Sequence, residues 1–374
     1  MRNFIVKIIL LFVIVIIAVG PATASAQEET FRLATWNLEW FFDQDTSDNT
    51  SSLSEQQSAP DQNEFNERVD TFADAIAEIN PTIIALQEIE NGKVVQDIAD
   101  RLQEKHNLAY EVAFVQGRDT FTEQDVAYLI KQGIPFNASR LDFTQFVGNH
   151  DFKDLSKHLK LEVTVNGEEI TLVTIHLISS SPPDRLRQAK TLRTWTEAMV
   201  STDNLIILGD FNTGLRFQEV TLDSDLGIIR GFQTSATSDD LFDAHQMLNS
   251  RETHVSGKEL DHILVSPLLT DDSGLALASV ETRRELAIRG TEDNSSDGVA
   301  YSLPPTEQDL SDHFPVVATF SMAGAPTATP EPTPLTNEEK RALLLEKITH
   351  IENEITGLIE ELQQIKALLR DLDN

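Results

Sequence analysis

Short apolar segments recur along the chain, and their alternation with helical segments most constrains the fold. Strand-like segments lie at residues 82–86, 126–130, 169–175, 204–208, 260–265 and 315–320. A helix that ends at Asn80-Pro81 is predicted by apolar residues at helical spacing, which are Phe65, Val69, Phe72, Ile76 and Ile79. Two further helices are predicted near 94–105 and 184–200. Intermixed strands and helices predict an α/β or α+β fold, and the polar segments 222–258 and 271–309 are predicted to be surface insertions.

Polar or acidic residues lie at the ends of several apolar segments. They are Asn37, Glu88, His176, Asp210 with Asn212, Asp261, and Asp312 with His313. A single residue of this kind is usually a helix cap or a turn residue. Folds that mix strands and helices bind ligands at strand ends, so six such positions in one chain indicate a functional site.

The residue types at these positions suit hydrolysis of a phosphate ester. That reaction needs a hard cation on the phosphoryl oxygens, a base for water, and stabilisation of the transition state. Glu88 and Asp312 offer oxygen ligands suited to Mg²⁺, Mn²⁺ or Ca²⁺. A histidine paired with an aspartate can polarise water or hold the phosphate.

Six motifs, in their order along the chain, resemble the endonuclease/exonuclease/phosphatase superfamily in its bacterial secreted form. They are TWN at 35–37, LQE at 86–88, HL at 176–177, GDFN at 209–212, LDHILVS at 260–266 and SDH at 311–313. This superfamily contains pancreatic-type DNase, apurinic endonucleases, neutral sphingomyelinases and inositol polyphosphate phosphatases. The resemblance implies a metal-dependent phosphodiester hydrolase that uses Mg²⁺, or else Mn²⁺ or Ca²⁺. The implied fold is a four-layer α/β sandwich with two central, mainly antiparallel sheets.

The resemblance also implies a role for each residue of the centre. Glu88 corresponds to the main metal-binding glutamate, and Asn37 to the asparagine beside the metal. Asp312 corresponds to the acidic residue near the metal. Asp210 corresponds to the aspartate that orients or activates the attacking water, and in some proposals binds a second metal, whereas Asn212 corresponds to a phosphate contact.

Two histidines complete the implied catalytic set. His313 corresponds to the catalytic histidine, and Asp261 to the aspartate that orients it. His176 corresponds to a second histidine of the DNase and sphingomyelinase branches, which the apurinic endonucleases lack. His262 directly follows Asp261, and on an alternating strand it points away from Asp261, so we expect it to have a packing role.

Two arginines follow the HL motif. Arg185 and Arg187 lie in DRLRQA, at 184–189, which resembles the R-x-x-Q-A helix of bacterial extracellular members. The functional interpretation is a phosphate contact for both side chains. A solvated helix face is an equally good interpretation.

The N-terminal residues predict export. Arg2 and Lys7 precede an apolar run at 8–19, and Ala24-Ser25-Ala26 forms a small-residue cleavage site. We therefore expect a signal peptide at 1–26, a catalytic domain at 27–322, and a secreted or cell-surface protein without stable membrane insertion after cleavage. Retention of the run as an anchor is the alternative, although the run is short for a span of about 20 residues.

The C-terminal residues predict a linker and a coiled coil. Residues 323–336 are rich in Pro and Thr, which indicates an extended spacer. Within 337–374, apolar residues alternate spacings of four and three, namely Leu344, Ile348, Ile351, Ile355, Leu358, Leu362, Ile365, Leu369 and Leu372. This heptad pattern predicts a coiled-coil helix that joins copies of the chain into a homo-oligomer. An amphipathic helix that folds back onto its own domain is the alternative.

Composition narrows the function classes. The chain has no cysteine, which excludes disulfides and thiolate ligands, and its net charge of −32 is unlike that of a protein that coats nucleic acid. The leading hypothesis is an extracellular nuclease that acts on DNA or RNA. A sphingomyelinase-like phospholipid phosphodiesterase and a phosphomonoesterase are alternatives with the same chemistry, and a non-catalytic oligomeric binding protein is the alternative from another class.

Overall fold

The computed structural model describes residues 30–140, 155–214, 219–271, 274–289 and 308–322. The chain divides into two compact units, Met1–Ala325 and Pro326–Asn374, and every described residue lies in the first. The predicted signal peptide, linker and coiled coil lie outside the described residues and stay predictions. Within the described part, no helix combines the length and the apolar character that crossing a bilayer would require.

The strands of the described chain form two six-stranded sheets. They are β1 (Thr30–Phe41), β2 (Ile83–Ile89), β3 (Tyr110–Phe114), β4 (Asp125–Lys131), β5 (Phe136–Ser139), β6 (His158–Val165), β7 (Glu168–His176), β8 (Asn204–Asp210), β9 (Phe242–Asp243), β10 (Asp261–Val265), β11 (Leu275–Thr282) and β12 (Val316–Met322). The first sheet has the order β11-β12-β1-β2-β4-β3, and the second has the order β5-β6-β7-β8-β10-β9.

Each sheet has a parallel pair at its centre. These pairs are β1 with β2 and β7 with β8. The other described pairs in both sheets are antiparallel, which confirms the prediction of mainly antiparallel sheets. An antiparallel strand begins where its neighbour ends. β12 and β10 therefore begin at the same end of their sheets at which β1 and β8 end.

The helices of the described chain are α1 (Ser52–Gln57), α2 (Gln62–Ile79), α3 (Gly92–His106), α4 (Pro182–Val200), α5 (Asp225–Arg230) and α6 (Arg284–Ala287). Local sequence explains the bounds of α2. Asp61 accepts hydrogen bonds from two backbone N–H groups of its first turn, and Asn80 ends the helix in the left-handed conformation at φ 48°. The helix predicted from apolar spacing is thus confirmed.

Alternation of side chains along the strands builds three apolar layers. The layer between the sheets contains residues of both, including Leu33, Ile83, Leu172 and Ile206. The other face of the first sheet packs against α2 and α3 through residues that include Ala34, Ile84, Phe72 and Ile98. The other face of the second sheet packs against α4 and α5 through residues that include Ile175, Ile207, Leu192 and Ile229. The four layers of secondary structure therefore run helix, sheet, sheet, helix, as predicted.

The two segments predicted to be surface insertions also contribute to the fold, so that prediction was wrong for their described parts. Segment 271–309 contains β11, which forms the edge of the first sheet beside β12. Segment 222–258 contains α5 and β9, and it buries Ile229 and His245 completely. An edge strand with a half-exposed face has a weak apolar pattern, which explains why β11 was missed.

Candidate active site

The strand-end residues meet at one end of the two sheets. Asn37 and Glu88 lie near the ends of β1 and β2, and His176 and Asp210 are paired at the ends of β7 and β8. Asp261 opens β10 and pairs with Asp210 across the ladder. The SDH motif lies just before β12. Chain direction in the sheets therefore explains why distant motifs converge.

Asn37, Glu88, His176 and Asp210 form an acidic centre. Asn37 donates from Nδ2 to Glu88 Oε1 at 3.0 Å and to Asp210 Oδ2 at 3.1 Å. His176 Nε2 lies 3.6 Å from Glu88 Oε1 and 3.5 Å from Asp210 Oδ2. The ligand atoms of Glu88, His176 and Asp210 lie within 4.8 Å of one another, a separation that one metal ion can bridge.

A buried histidine–aspartate pair lies beside this centre. His313 donates from Nδ1 to Asp261 Oδ2 at 2.7 Å, and its Nε2 lies 3.8 Å from both Asp210 Oδ2 and Asp312 Oδ1. Burial opposes a charge on the ring, but the carboxylates of Asp261 and Asp210 outweigh it and raise the pKa of His313 well above its usual value. The ring is therefore protonated at neutral pH, with Nε2 directed toward the carboxylates.

The acidic side chains of the centre are held in an unfavourable environment for anions. Burial raises the pKa of Glu88, and it raises the pKa of Asp210 to about 7. Burial and then the charge of Asp312 raise the pKa of Glu39 well above its usual value. By contrast, burial and the positive charges of Lys157 and His313 lower the pKa of His176, so its ring is neutral.

These residues fit a divalent cation. Several buried carboxylates near one point need positive charge, and a bound cation supplies more of it locally than a side chain can. A donor set dominated by oxygen, with one imidazole, suits Mg²⁺, Mn²⁺ or Ca²⁺. Glu88 and Asn37 lie together at the centre, whereas Asp312 lies on the side of His313.

The backbone around the centre is strained. Glu39, Trp40, Glu88 and Asn212 adopt left-handed conformations, with φ between 46° and 58°, which side chains other than glycine rarely adopt. Gly209 precedes Asp210 at φ 133°, where a Cβ would lie 2.1 Å from the carbonyl oxygen of Ile175. Such strain persists only where the surroundings enforce it, and it clusters at functional sites.

Asn212 holds Asp210 in place. Its backbone N–H donates to Asp210 Oδ1 at 2.8 Å, and its Nδ2 donates to Asp210 Oδ2 at 3.0 Å. Nδ2 also donates to the carbonyl of Leu177 at 2.9 Å. The structure therefore brings Asn212 into the centre and gives it a positioning contact, whereas the resemblance implied a phosphate contact.

The described contacts of Arg185 and Arg187 are with residues other than those of the centre. Arg185 is buried, its Nε donates to Asp225 at 2.6 Å, and its Nη1 donates to the carbonyls of residues 178 and 179. Arg187 pairs with Asp184 one turn back on α4. The phosphate interpretation is therefore corrected for Arg185, which ties the loop after β7 to α5, whereas for Arg187, which lies in a surface ion pair, it stays a prediction.

Sequence reasoning missed four residues that lie in or beside the site. Gln124 donates to Glu88 Oε2 at 2.6 Å, and Lys157 donates to Gln124 Oε1 at 2.8 Å. His254 Nε2 lies 3.0 Å from Asp312 Oδ2, and Glu39 accepts from the backbone N–H of Asp312 at 2.9 Å. Glu39 follows the TWN motif by two residues and could have been found there, but nothing near the other three marks them.

A cation site next to a protonated histidine suits attack on a phosphoester, and on a two-sheet sandwich it defines the class of metal-dependent phosphoesterases. The family model described as "Endonuclease/Exonuclease/phosphatase family" matches residues 34–313, well over half of the chain. The chain therefore belongs to this family, whose members are divalent-metal-dependent phosphoesterases. Among curated proteins, no sequence matches the chain significantly.

Several solved structures are similar to this chain. Humanized D. rerio TDP2 is 16% identical, with 78% of this chain and 99% of that chain covered and a TM-score of 0.49. An endonuclease/exonuclease/phosphatase from Bacteroides vulgatus is 18% identical, with 78% and 99% covered and a TM-score of 0.49. The human nocturnin catalytic domain with bound sulfate is 16% identical, with 79% and 95% covered and a TM-score of 0.48.

Proposed function

We propose that the protein is an exported phosphodiesterase that uses Mg²⁺ and cleaves nucleic acid outside the cell. The observation that carries this proposal is the alignment of Asp261, His313 and Asp210, whose contacts of 2.7 Å and 3.8 Å lead to the acidic centre. Export is supported by residues 1–26, where a positive start, an apolar run and a small-residue cleavage site follow one another.

His313 binds the phosphoryl group in this function. Its Nδ1 is held by Asp261, so the protonated Nε2 is free to donate to a phosphoryl oxygen that enters between His313 and Asp210. Negative charge grows on that oxygen in the transition state, and a fixed cationic donor stabilises the growing charge. Asp261 acts as a positioning residue that keeps the ring oriented and charged.

Asp210 orients the attacking water. Asn37 and Asn212 hold its two oxygens through three hydrogen bonds of 2.8 to 3.1 Å. Burial raises the pKa of Asp210 to about 7, which suits a group that accepts a proton near neutral pH. Glu88, Asn37 and Asp312 are the residues that would hold a divalent cation, and that cation would supply neutralisation of charge on the phosphoryl oxygens.

Phe121 favours nucleic acid as the substrate. It is 73% exposed, the most of any large apolar side chain in the described residues. It lies three residues before Gln124, which contacts Glu88. A nucleic-acid base can stack on an exposed aromatic ring, whereas docking on a lipid surface needs a contiguous apolar patch.

The test is a nicking assay on supercoiled plasmid with the mature full chain, in Mg²⁺, Mn²⁺, Ca²⁺ or EDTA. We expect nicking that requires metal and that Asp210→Asn abolishes. The matched control is Asp97→Asn, which changes a surface aspartate that pairs with Lys93 on α3. The control should cleave like the parent.

Other outcomes identify the alternatives. Failure to cleave DNA or RNA, together with hydrolysis of sphingomyelin, would replace the nuclease with a phospholipid phosphodiesterase. Hydrolysis of p-nitrophenyl phosphate alone would indicate a phosphomonoesterase. Inactivity toward every substrate would favour a non-catalytic binding protein. Assembly through 337–374 is part of the proposal, because joined copies would bind a polymer with greater avidity.

A further inference from the structure

A second cluster of histidine and carboxylate side chains lies in the core. Asp243 ends β9, His245 lies in the 3₁₀ turn Ala244–Met247, and His262 lies on β10. Each of the three is at most 1% exposed. Asp261 turns to His313, while the next residue, His262, turns to Asp243. The cluster therefore lies on the opposite face of β10 from the catalytic pair.

The three side chains have the spacing of metal ligands. Asp243 Oδ2 lies 3.0 Å from His262 Nδ1, and Asp243 Oδ1 lies 3.6 Å from His245 Nδ1. The ring centroids of His245 and His262 are 4.6 Å apart. Ligand atoms at about 2.0–2.2 Å around a tetrahedral zinc ion are roughly 3.2–3.6 Å from one another. The two ligand-atom distances of 3.0 and 3.6 Å lie close to this range, so the side chains would need little rearrangement to hold a zinc ion.

The hydrogen bonds of His262 point to a cation. His262 Nε2 contacts the backbone carbonyl of Glu259 at 3.0 Å, which requires an N–H at that nitrogen. In the neutral ring, Nδ1 is then an acceptor, and it faces a carboxylate oxygen, which is also an acceptor. A proton or a metal ion must lie between them. A carbonyl on the far ring nitrogen is the usual support of a metal-binding histidine.

His245 provides a second, independent observation. The side chain is completely buried, and within the described structure neither ring nitrogen has a hydrogen-bond partner. Burial lowers the pKa of His245 to about 3, so its ring is neutral. A buried polar atom without a partner is costly, and a metal ion next to Asp243 would occupy the lone pair of Nδ1.

We propose that Asp243, His245 and His262 bind a structural Zn²⁺ ion, with a water molecule as the fourth ligand. Two imidazoles and one carboxylate suit Zn²⁺, whereas Mg²⁺ prefers oxygen ligands throughout. The packing role expected for His262 accounts for its contact with the ring of Phe211. It does not account for two polar neighbours on the same buried face.

The surrounding charges allow a divalent cation. Positive charge from Arg230 and Arg251 reaches the cluster, and the carboxylates of Asp240 and Glu259 offset it. The ion would join β9 and the turn after it to β10. It would thereby stiffen the strand that carries Asp261, while taking no part in the reaction.

The test measures zinc in the full chain after expression in Zn²⁺-supplemented medium, desalting, and purification in excess Mg²⁺ to occupy the catalytic centre. The variant is His245→Gln, and the matched control is His158→Gln, another buried histidine on β6. We expect about one zinc per chain in the parent and the control, and at least roughly tenfold less in His245→Gln. Added Zn²⁺ should raise the unfolding temperature of the parent but not of that variant.

X-ray absorption at the zinc edge of the parent gives an answer even if His245→Gln does not fold. Two imidazole nitrogens with oxygen at about 2.0–2.1 Å support the proposal if they persist in His254→Gln, which breaks the other described group of two histidines and a carboxylate, His254, Asp312 and His313. A parent without zinc would overturn the proposal in favour of a metal-free ion pair between Asp243 and His262. Equal zinc in His245→Gln, or fewer than two imidazoles, would place the ion elsewhere and also overturn it.

Discussion

Asp261→Asn tests whether the charge on His313 drives the reaction. The substitution keeps the shape of the side chain, and the Asn Oδ1 atom can still accept the hydrogen bond from His313 Nδ1. It removes the negative charge that the structure places 2.7 Å from the ring. We therefore expect the variant to fold and to lose activity through a lowered pKa of His313.

The expected loss of kcat/KM follows from the few partners of the Asp261–His313 pair. In the described structure, Asp261 Oδ1 has no hydrogen-bond partner, so His313 is the main partner of this buried carboxylate. Hydrogen bonds to charged groups contribute about 1.5–3 kcal/mol, and breaking one side of a buried ion pair costs about 3–5 kcal/mol. A loss of about 3–4 kcal/mol lowers kcat/KM by roughly 10²–10³-fold.

The assay is kcat/KM on plasmid DNA and on bis(p-nitrophenyl) phosphate from pH 5.5 to 8.5. Asp261 and Asp210 raise the pKa of His313 in the parent, so the ring stays protonated across neutral pH. Without the charge of Asp261, the ring loses its proton at lower pH. The ratio of variant to parent activity should therefore increase as the pH is lowered.

Two results would refute this reasoning. A kcat/KM within about threefold of the parent would show that the charge on His313 contributes little. A large loss that is constant from pH 5.5 to 8.5 would show that Asp261 acts through geometry alone. The surface variant Asp97→Asn controls for general effects of losing a negative charge.

Four further predictions concern metal, pH, substrate and assembly. Glu88→Gln should raise the Mg²⁺ concentration for half-maximal activity by roughly tenfold or more, because one charged ligand oxygen is lost. Burial raises the pKa of Glu90 to about 8. The folded state therefore keeps a proton that the unfolded state releases above about pH 4.3. The stability of the folded state consequently falls as the pH rises from about 4.3 to about 8. Glu90→Gln should therefore raise the unfolding temperature more at pH 8 than at pH 5. Phe121→Ala should raise KM for nucleic acid roughly tenfold with unchanged turnover of bis(p-nitrophenyl) phosphate. Removal of 337–374 should yield a smaller species in sedimentation velocity.

Specific outcomes contradict each of these predictions. They are an unchanged Mg²⁺ requirement in Glu88→Gln, an equal temperature shift at both pH values in Glu90→Gln, and equal loss on both substrates in Phe121→Ala. A monomer both with and without 337–374 would contradict the coiled coil. Asp97→Asn serves as the surface control for the activity and melting measurements.

Local patterns were sufficient to predict much of the fold. The helix before Asn80-Pro81 was predicted because its apolar spacing and its end signal lie within one short segment. The strand-end residues were found for a similar reason, since each directly follows or opens an apolar run. Predicting that these residues converge required knowledge of the chain direction in the sheets. The family resemblance provided this direction, and the strand pairing confirms it.

The missed residues depend on contacts between distant segments. Gln124 meets Glu88 across 36 positions, and His254 meets Asp312 across 58. Neither lies in an apolar pattern that would mark it. Arg185 shows the converse, because a cation near a motif suggested a phosphate contact, and its partner Asp225 lies 40 positions further along, in a segment predicted to be an insertion.

The position of β12 has a consequence for how the active enzyme folds. β12 is inserted between β11 and β1, and the SDH motif before it is fixed to the TWN motif by hydrogen bonds from Trp36 Nε1 to the carbonyl of His313 and from Ser311 Oγ to the carbonyl of Asn37. These contacts join the first and last described strands, and contacts between such distant segments are slow to form, because loop closure must come first. A chain that stops short of the SDH motif would carry Glu88 and Asp210 but lack His313. Activity thus depends on β12 joining the sheet.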